Sequence, residues 1–305
     1  MTVDALRAIL GSPPVPEGSW EREAVYVSAA VLRRAGPARQ VAGGPAREIT
    51  ERPAGGPVRE ITGRSAREVA EGLAVRLRAV PGVRAVQVRQ NGFLVIEVAV
   101  PGEIVREILA GPVTPAEVPV PVGSAPWPEV PLTWSNPGFV VRYAYVRAGA
   151  VQRWARDLGI EAGPPGASGQ GKGEPEERRG EPGAAAGFRP ESLDDPRDRA
   201  VLRVLAELPS RRAGRDAGRS GRYPSGGGEA RASGGRGPGR ESGWPAYLER
   251  LAEAYHDAFE HAPAIPKGDE PPTGTHVARL WMARAVREVL GEGLTALGQA
   301  HPVKI

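Results

Sequence analysis

The stretch from Pro112 to Thr133, "PVTPAEVPVPVGSAPWPEVPLT", sets the strongest limit on what this chain can build. Proline fixes φ and has no amide hydrogen to donate, so neither a helix nor an interior strand can run through it. The segment therefore reads as a linker, residues 112–133. It divides the 305 residues into 1–111 and 134–305, each long enough to bury its own core.

Within 1–111 the hydrophobic period changes twice. Residues 2–10 read as a short helix, and "WEREAVYVSAAVLRRAG" (20–36) as a second helix stopped by Gly36. A repeat follows, "AGGPAREIT" at 42–50 and "AGGPVREIT" at 54–62. Two short copies cannot stack into a solenoid, so residues 37–64 read as a repeat-bearing loop. "SAREVAEGLAVRLRAVPG" (65–82) is a firmer helix. Ser65 and Glu68 form a capping box, Val69, Leu73, Leu77 and Val80 recur at helical spacing, and Pro81-Gly82 stops it. "VRAVQVRQNGFLVIEVAV" then alternates with period two around Asn91-Gly92, a strong hairpin signal because both residues tolerate positive φ. A helix over 102–111 completes an expected α+β unit.

The second region reads as all-α. Asn136 and Pro137 make an N-cap and first-turn pair for a helix over 135–159, and Asp195-Pro196 repeats that logic for 194–208. Helical patterns cover 244–262 and 275–298. Two low-complexity insertions, 161–190 and 209–242, interrupt the bundle. The second has eight arginines, three acids and almost no apolar content, and is expected to be disordered.

Composition narrows the chemistry. There is no cysteine, which removes disulfides, thiol catalysis and cysteine metal sites. No apolar run approaches the ~20 residues of a membrane span, and the first ten residues do not read as a signal peptide. A soluble, cytoplasmic chain without membrane contact is expected. The four histidines, His256, His261, His276 and His301, lack the spacing of paired metal ligands. No phosphate loop or nucleophile elbow occurs. No catalytic residue, metal or cofactor is therefore expected. Net charge is +4, and only Lys172, Lys267 and Lys304 are lysines among 40 basic residues. Arginine suits phosphate and base recognition through its planar fork.

On the helix over 135–159, Phe139, Tyr143, Val146, Ala150 and Trp154 align on one face and read as a core stripe. Arg142, Tyr145, Gly149, Arg153 and Arg156 fall on a neighbouring face. Arginines beside a tyrosine, with a glycine allowing close approach, could hold phosphate and stack bases. A solvated basic face is the alternative.

"SNPGFVVRYAYVRAGAVQRW" resembles the first helix of the anticodon-binding DALR domain of arginyl-tRNA synthetases. Asn136, Pro137, Phe139, Val141, Tyr143, Ala144 and Arg147 keep that pattern, while Ser135, Val140, Arg142 and Tyr145 depart from it. Residues 247–259 and 278–298 resemble the closing helices of the same domain. Residues 66–98 resemble the synthetases' N-terminal additional domain, which grips the tRNA elbow. In that family's "GFLN" motif the last residue is Asn; here it is Val95. The chain ends "PVKI" where the family tends to end Pro-Glu-Arg-Met.

The resemblance implies an α+β N-terminal domain followed by an anticodon-binding-type helical bundle. Helix face and resemblance together lead to expected tRNA contacts at Arg142, Tyr143, Tyr145, Arg147 and Arg153 in the bundle, and at Arg89, Asn91 and Phe93 in the N-terminal unit. tRNA-Arg is the implied species. In the family a nucleotide-binding catalytic domain separates these regions, whereas here only the linker does, too short for a Rossmann core. The expectation is a non-catalytic tRNA-binding protein whose two sites, joined by a linker, gain by effective concentration. Arginine–tRNA ligase activity by inheritance and a module docking an aminoacyl-tRNA synthetase are the alternatives. A decaying paralogue would carry the same insertions.

Overall fold

A computed structural model of the chain describes residues 3–31, 66–90, 92–111, 126–160, 187–213 and 243–304. The loop repeat, Ser65 of the capping box, Asn91 and most of both insertions lie outside these residues. The first region holds α1 (Val3–Leu10), β1 (Val15–Glu17), β2 (Ala24–Ser28), α2 (Ala66–Arg78), β3 (Val83–Val88), β4 (Leu94–Val98) and α3 (Glu103–Ala110). The second holds α4 (Pro137–Asp157), a 3-10 turn (Pro190–Ser192), α5 (Pro196–Leu205), a helical turn over 208–213, α6 (Trp244–His261) and α7 (Gly274–Ala296).

The four strands form an antiparallel sheet in the order β1-β2-β4-β3. Tyr26 and Val86 both pair with Ile96, so one row of apolar side chains crosses the sheet. That row is buried, and α2 packs on β3 and α1 on α2. The β3–β4 hairpin closes as the sequence predicts. Arg89 N donates to Phe93 O at 2.8 Å, Gly92 N donates to Arg89 O at 2.9 Å, and Gly92 adopts φ 78°.

Of the helix expected over 20–36, residues 20–29 are not helical, residues 30 and 31 are, and 32–36 lie outside the described residues. Ala24–Ser28 is strand β2, with Ala24, Tyr26 and Ser28 buried and Val25 and Val27 half-buried between them. That alternation has period two, and Val25 and Val27 are β-branched, which suits a pleated surface. Pairing with β4 along five residues decides the conformation over the helical reading of the flanking Glu and Ala residues. Trp20 anchors the entry, its indole donating to Val25 O at 3.1 Å and packing edge-on against Tyr26 at 5.2 Å.

In the second region the local helix signals hold. Asn136 accepts a hydrogen bond from Gly138 N at 3.0 Å with Pro137 in the first turn, and Asp195 accepts from Arg197 N at 2.8 Å. The stripe assigned to α4 does not hold. Its buried face is Val140, Val141, Ala144, Ala148, Gly149, Val151 and Ala155, whereas Phe139, Tyr143, Val146 and Ala150 are half-buried and Trp154 is exposed. Small side chains form the seam because α4 lies close against α6 and α7; the large rings sit at its edge. Part of the proline-rich stretch joins this bundle: Trp127 is buried, and its indole donates to Glu249 Oε1 at 2.5 Å.

The two regions share one contiguous core. Gly102 lies on the Pro190 carbonyl so closely that any β-carbon would collide with it. Phe188 packs between Trp281 at 5.4 Å and the Arg106 guanidinium at 5.5 Å. Arg203 Nε donates to Gly18 O at 2.9 Å, and Ser210 Oγ to Pro14 O at 3.1 Å. The sheet unit is thus docked on the helices. A gain from effective concentration between two sites on a slack tether has no counterpart in this packing.

Candidate nucleic-acid interface

The α4–α7 contact creates a cation-rich environment suited to phosphate. Gly149 faces α7, and a β-carbon there would stand 3.2 Å from Arg287 Nε and 3.5 Å from Arg153 Nη1. Two guanidiniums from different helices therefore meet over one glycine. Both arginines are exposed. The α7 carboxylates beside them are engaged elsewhere, Glu288 with Arg284 at 3.4 Å and Glu292 with Arg212 at 2.5 Å. Among the described residues neither Arg153 nor Arg287 pairs with an acid.

Aromatic surface adjoins this charge. The Arg287 guanidinium lies 5.1 Å from the Tyr145 ring, and His301 packs on the same tyrosine at 5.4 Å. His301 is fixed through Nε2, 3.0 Å from Gly291 O and 2.8 Å from Thr295 Oγ1. Two cations, a tyrosine and an imidazole on one face match what unpaired RNA requires: phosphate contacts and rings to stack on.

Of the residues predicted for the bundle, Tyr145 and Arg153 belong to this patch. Arg142 is turned to the proline-rich segment, donating to Pro128 O at 3.5 Å and Glu129 O at 3.3 Å. Tyr143 and Arg147 lie on the α6 side. Tyr143 stacks on Phe139 at 5.4 Å, and Arg147 sits 4.5 Å from both the Tyr143 and Phe259 rings and 5.8 Å from Trp134. Arg147 also pairs with Glu260 at 3.1 Å and approaches His256 Nδ1 at 3.3 Å. Its charge is engaged inside the bundle.

The N-terminal unit presents a different surface. Arg89 pairs with Glu17 at 2.9 Å, and Phe93 is half-buried in the hairpin turn, with Asn91 outside the described residues. Arg89 borders a cleft of about 630 Å³ on the open face of the sheet, with Val25 and Val95 on its floor. Its rim carries Glu17, Glu21, Glu23 and Glu97 against Arg22 and Arg89. Carboxylates outnumber guanidiniums there, which disfavours phosphate.

No local sequence signal marks Arg287 or His301 as part of this patch. Each lies more than 130 positions from Gly149, and no local spacing links them; only the α4–α7 crossing does. Among the described residues no group of three or more His, Cys, Asp or Glu side chains is placed to hold a metal ion, and no helix is long and apolar enough to cross a membrane.

No family model and no solved structure matches the chain. Among curated proteins it is similar to an arginine–tRNA ligase of Clavibacter sepedonicus, 30% identical over 173 residues. The match covers 57% of this chain and 24% of the ligase, so the similarity spans about a quarter of that protein's length.

Proposed function

We propose that this is a non-catalytic tRNA-binding protein related to arginyl-tRNA synthetase, which engages RNA through the α4–α7 face of an anticodon-binding-type bundle. The observation that carries the reading is the meeting of Arg153 and Arg287 over Gly149, beside Tyr145 and His301, with no carboxylate among the described residues taking either charge. Exposed guanidiniums beside a glycine suit a phosphodiester, and the flanking rings suit an unpaired base. The similarity to an arginine–tRNA ligase supports tRNA as the RNA, with tRNA-Arg the first species to test.

The proposal includes the absence of ligase activity from this chain. Its support is the spacing of the sequence, in which only residues 112–133 separate the two regions. Filter binding of tRNA-Arg, other tRNAs and an unrelated RNA across salt concentrations tests the binding. Equal affinity for all three would remove the specific version. Charging of tRNA-Arg by the purified chain with ATP and arginine would overturn the non-catalytic part.

One observation favours a second reading, a module that docks a protein such as an aminoacyl-tRNA synthetase. Leu132, Trp134, Trp154 and Leu158 are large apolar side chains left about half exposed or more. Co-purification of a partner that survives ribonuclease would support this reading over RNA binding.

A further inference from the structure

The Arg147 cage contains a device that the RNA patch does not use. Its guanidinium lies between Tyr143 and Phe259, at 4.5 Å from each ring, with Trp134 at 5.8 Å. Its polar contacts are Glu260 at 3.1 Å and His256 Nδ1 at 3.3 Å. Glu260 is half-exposed, so water weakens that pair. His256 is buried, with its ring 4.9 Å from Trp134 and 5.6 Å from Tyr143.

These contacts assign the histidine's protons. His256 Nε2 lies 3.0 Å from Val140 O, which can only accept, so Nε2 carries a proton. Arg147 can only donate, so Nδ1 must be the bare nitrogen that accepts from it. Neutral His256 is thus a hydrogen-bond partner of Arg147. A second proton would sit on Nδ1. It would turn that acceptor into a donor facing a donor and place a like charge against the guanidinium. The groups facing His256 are Arg147 and Tyr143 from α4, Glu260 from α6 and the uncharged Trp134 ring ahead of α4. Glu260 is the one acid among them, and it already serves Arg147.

We propose that His256 is a proton-sensitive latch: neutral, it holds Arg147 in the aromatic cage, and its protonation expels the guanidinium to the outer face of α4. Arg147 then joins the exposed arginines of that helix, so the latch regulates RNA affinity; this last step rests on the RNA-binding reading. Burial, with Arg147 adding to it, lowers the pKa of His256, so the latch stays closed near neutrality and opens on acidification.

Titration of the full chain between pH 7.5 and 5.0 tests the latch without RNA. The NMR signal of Arg147 Nε–H, identified by its loss in Arg147→Lys, and the Trp134 emission, isolated by difference from Trp134→Phe, are followed with the His256 ring signals. Both should shift at the midpoint of the His256 titration, and neither should shift in His256→Gln, which keeps one donor and one acceptor. Should His256→Gln not fold, coincidence of the three midpoints in the wild type decides the matter. Arg147 and Trp134 signals that ignore the His256 titration, or that move equally in His256→Gln, overturn the latch. With RNA, the wild type should gain about threefold in tRNA affinity between pH 7.5 and 5.5 relative to His256→Gln, as one added phosphate contact would give. No tRNA binding at either pH would sink the RNA reading and leave the latch judged on the other two readouts.

Discussion

Arg287 lies across Gly149, its Nε 3.2 Å and Cζ 3.3 Å from the point where a β-carbon would stand. A β-carbon at position 149 makes that guanidinium give by a few tenths of an ångström, with Arg153 Nη1 in contact at 3.5 Å, and a larger side chain displaces it further. Alanine in a helix interior gains roughly 0.5–1 kcal/mol over glycine. Gly149→Ala should therefore leave the melting temperature unchanged or raise it, while tRNA affinity falls; Gly149→Val should weaken it about tenfold, equivalent to 1.4 kcal/mol. Arg153→Glu and Arg287→Glu should each reduce the slope of log affinity against log salt by about one. Paired thermal melts and filter binding check this, and a loss of binding that tracks a loss of stability would remove Gly149 from the interface.

Gly293 bears on α6 differently. A β-carbon there would collide with the δ-carbons of Leu248, which is fully buried. Gly293→Ala should destabilise the fold by about 1–3 kcal/mol, the usual cost of overpacking. Adding Leu248→Ala should recover part of the loss, because the two changes act on one contact. Gly72, in α2, has nothing within 4 Å of its would-be β-carbon and serves as the control. Gly72→Ala should stabilise by about 0.5–1 kcal/mol. Urea unfolding of the three variants beside the wild type separates packing from helix propensity.

What the sequence disclosed follows from where each cause resides. Asn136 and Asp195 cap helices by bonding an amide two residues on, so their signals are complete within a few positions. The β3–β4 hairpin is likewise encoded by its own turn. β2 is not legible locally because its partner β4 lies about 70 positions away, and the charges of Glu21 and Glu23 mimic a helix start. Aromatic size does not mark the α4 seam. In close helix packing Ala144, Ala148 and Gly149 occupy the centre, and Phe139 and Tyr143 the margin. Half of the candidate site, Tyr145 and Arg153, was visible as a helical face; Arg287 and His301 enter only through tertiary contact.

Trp127 ties the proline-rich segment to the bundle. It is buried, donates to Glu249, and presses on Gly138 at the start of α4, where a β-carbon would stand 2.6 Å from the Trp127 Cβ. Trp127→Ala should cost about 3–5 kcal/mol, as large-to-small core changes do. Its effect on tRNA affinity at a temperature where both proteins are folded should be small, because Trp127 bears on Gly138 and the patch centres on Gly149, about three helical turns further along α4. Circular dichroism melts and filter binding at that temperature test this separation; a variant as stable as the wild type would place Trp127 outside the folded unit.

Asp198 gives the fold an acid response of unusual sign. It is fully buried between α5 and α7, and Arg279 Nε donates to both of its oxygens at 3.0 and 3.1 Å. Burial raises its pKa to about 6, although the Arg279 guanidinium opposes the shift. The unfolded chain holds this proton at an ordinary carboxylate pKa of about 3.9, so between pH 4 and 6 the native state binds it more tightly. Proton uptake therefore favours the fold as pH falls through 6, and the contribution is absent at pH 7 and above. At pH 4.5 it amounts to about 2 kcal/mol. Other native carboxylates, such as Glu207 held low by Arg211 and Arg203 against its burial, push the opposite way. The difference between wild type and Asp198→Asn isolates the term: on going from pH 7 to 4.5, the variant should lose about 2 kcal/mol more than the wild type. Asp198→Ala at pH 7 should cost about 3–5 kcal/mol, since it leaves the largely buried Arg279 without its main counter-ion. Parallel pH dependences for wild type and Asp198→Asn in urea unfolding would place the pKa of Asp198 near that of an exposed carboxylate.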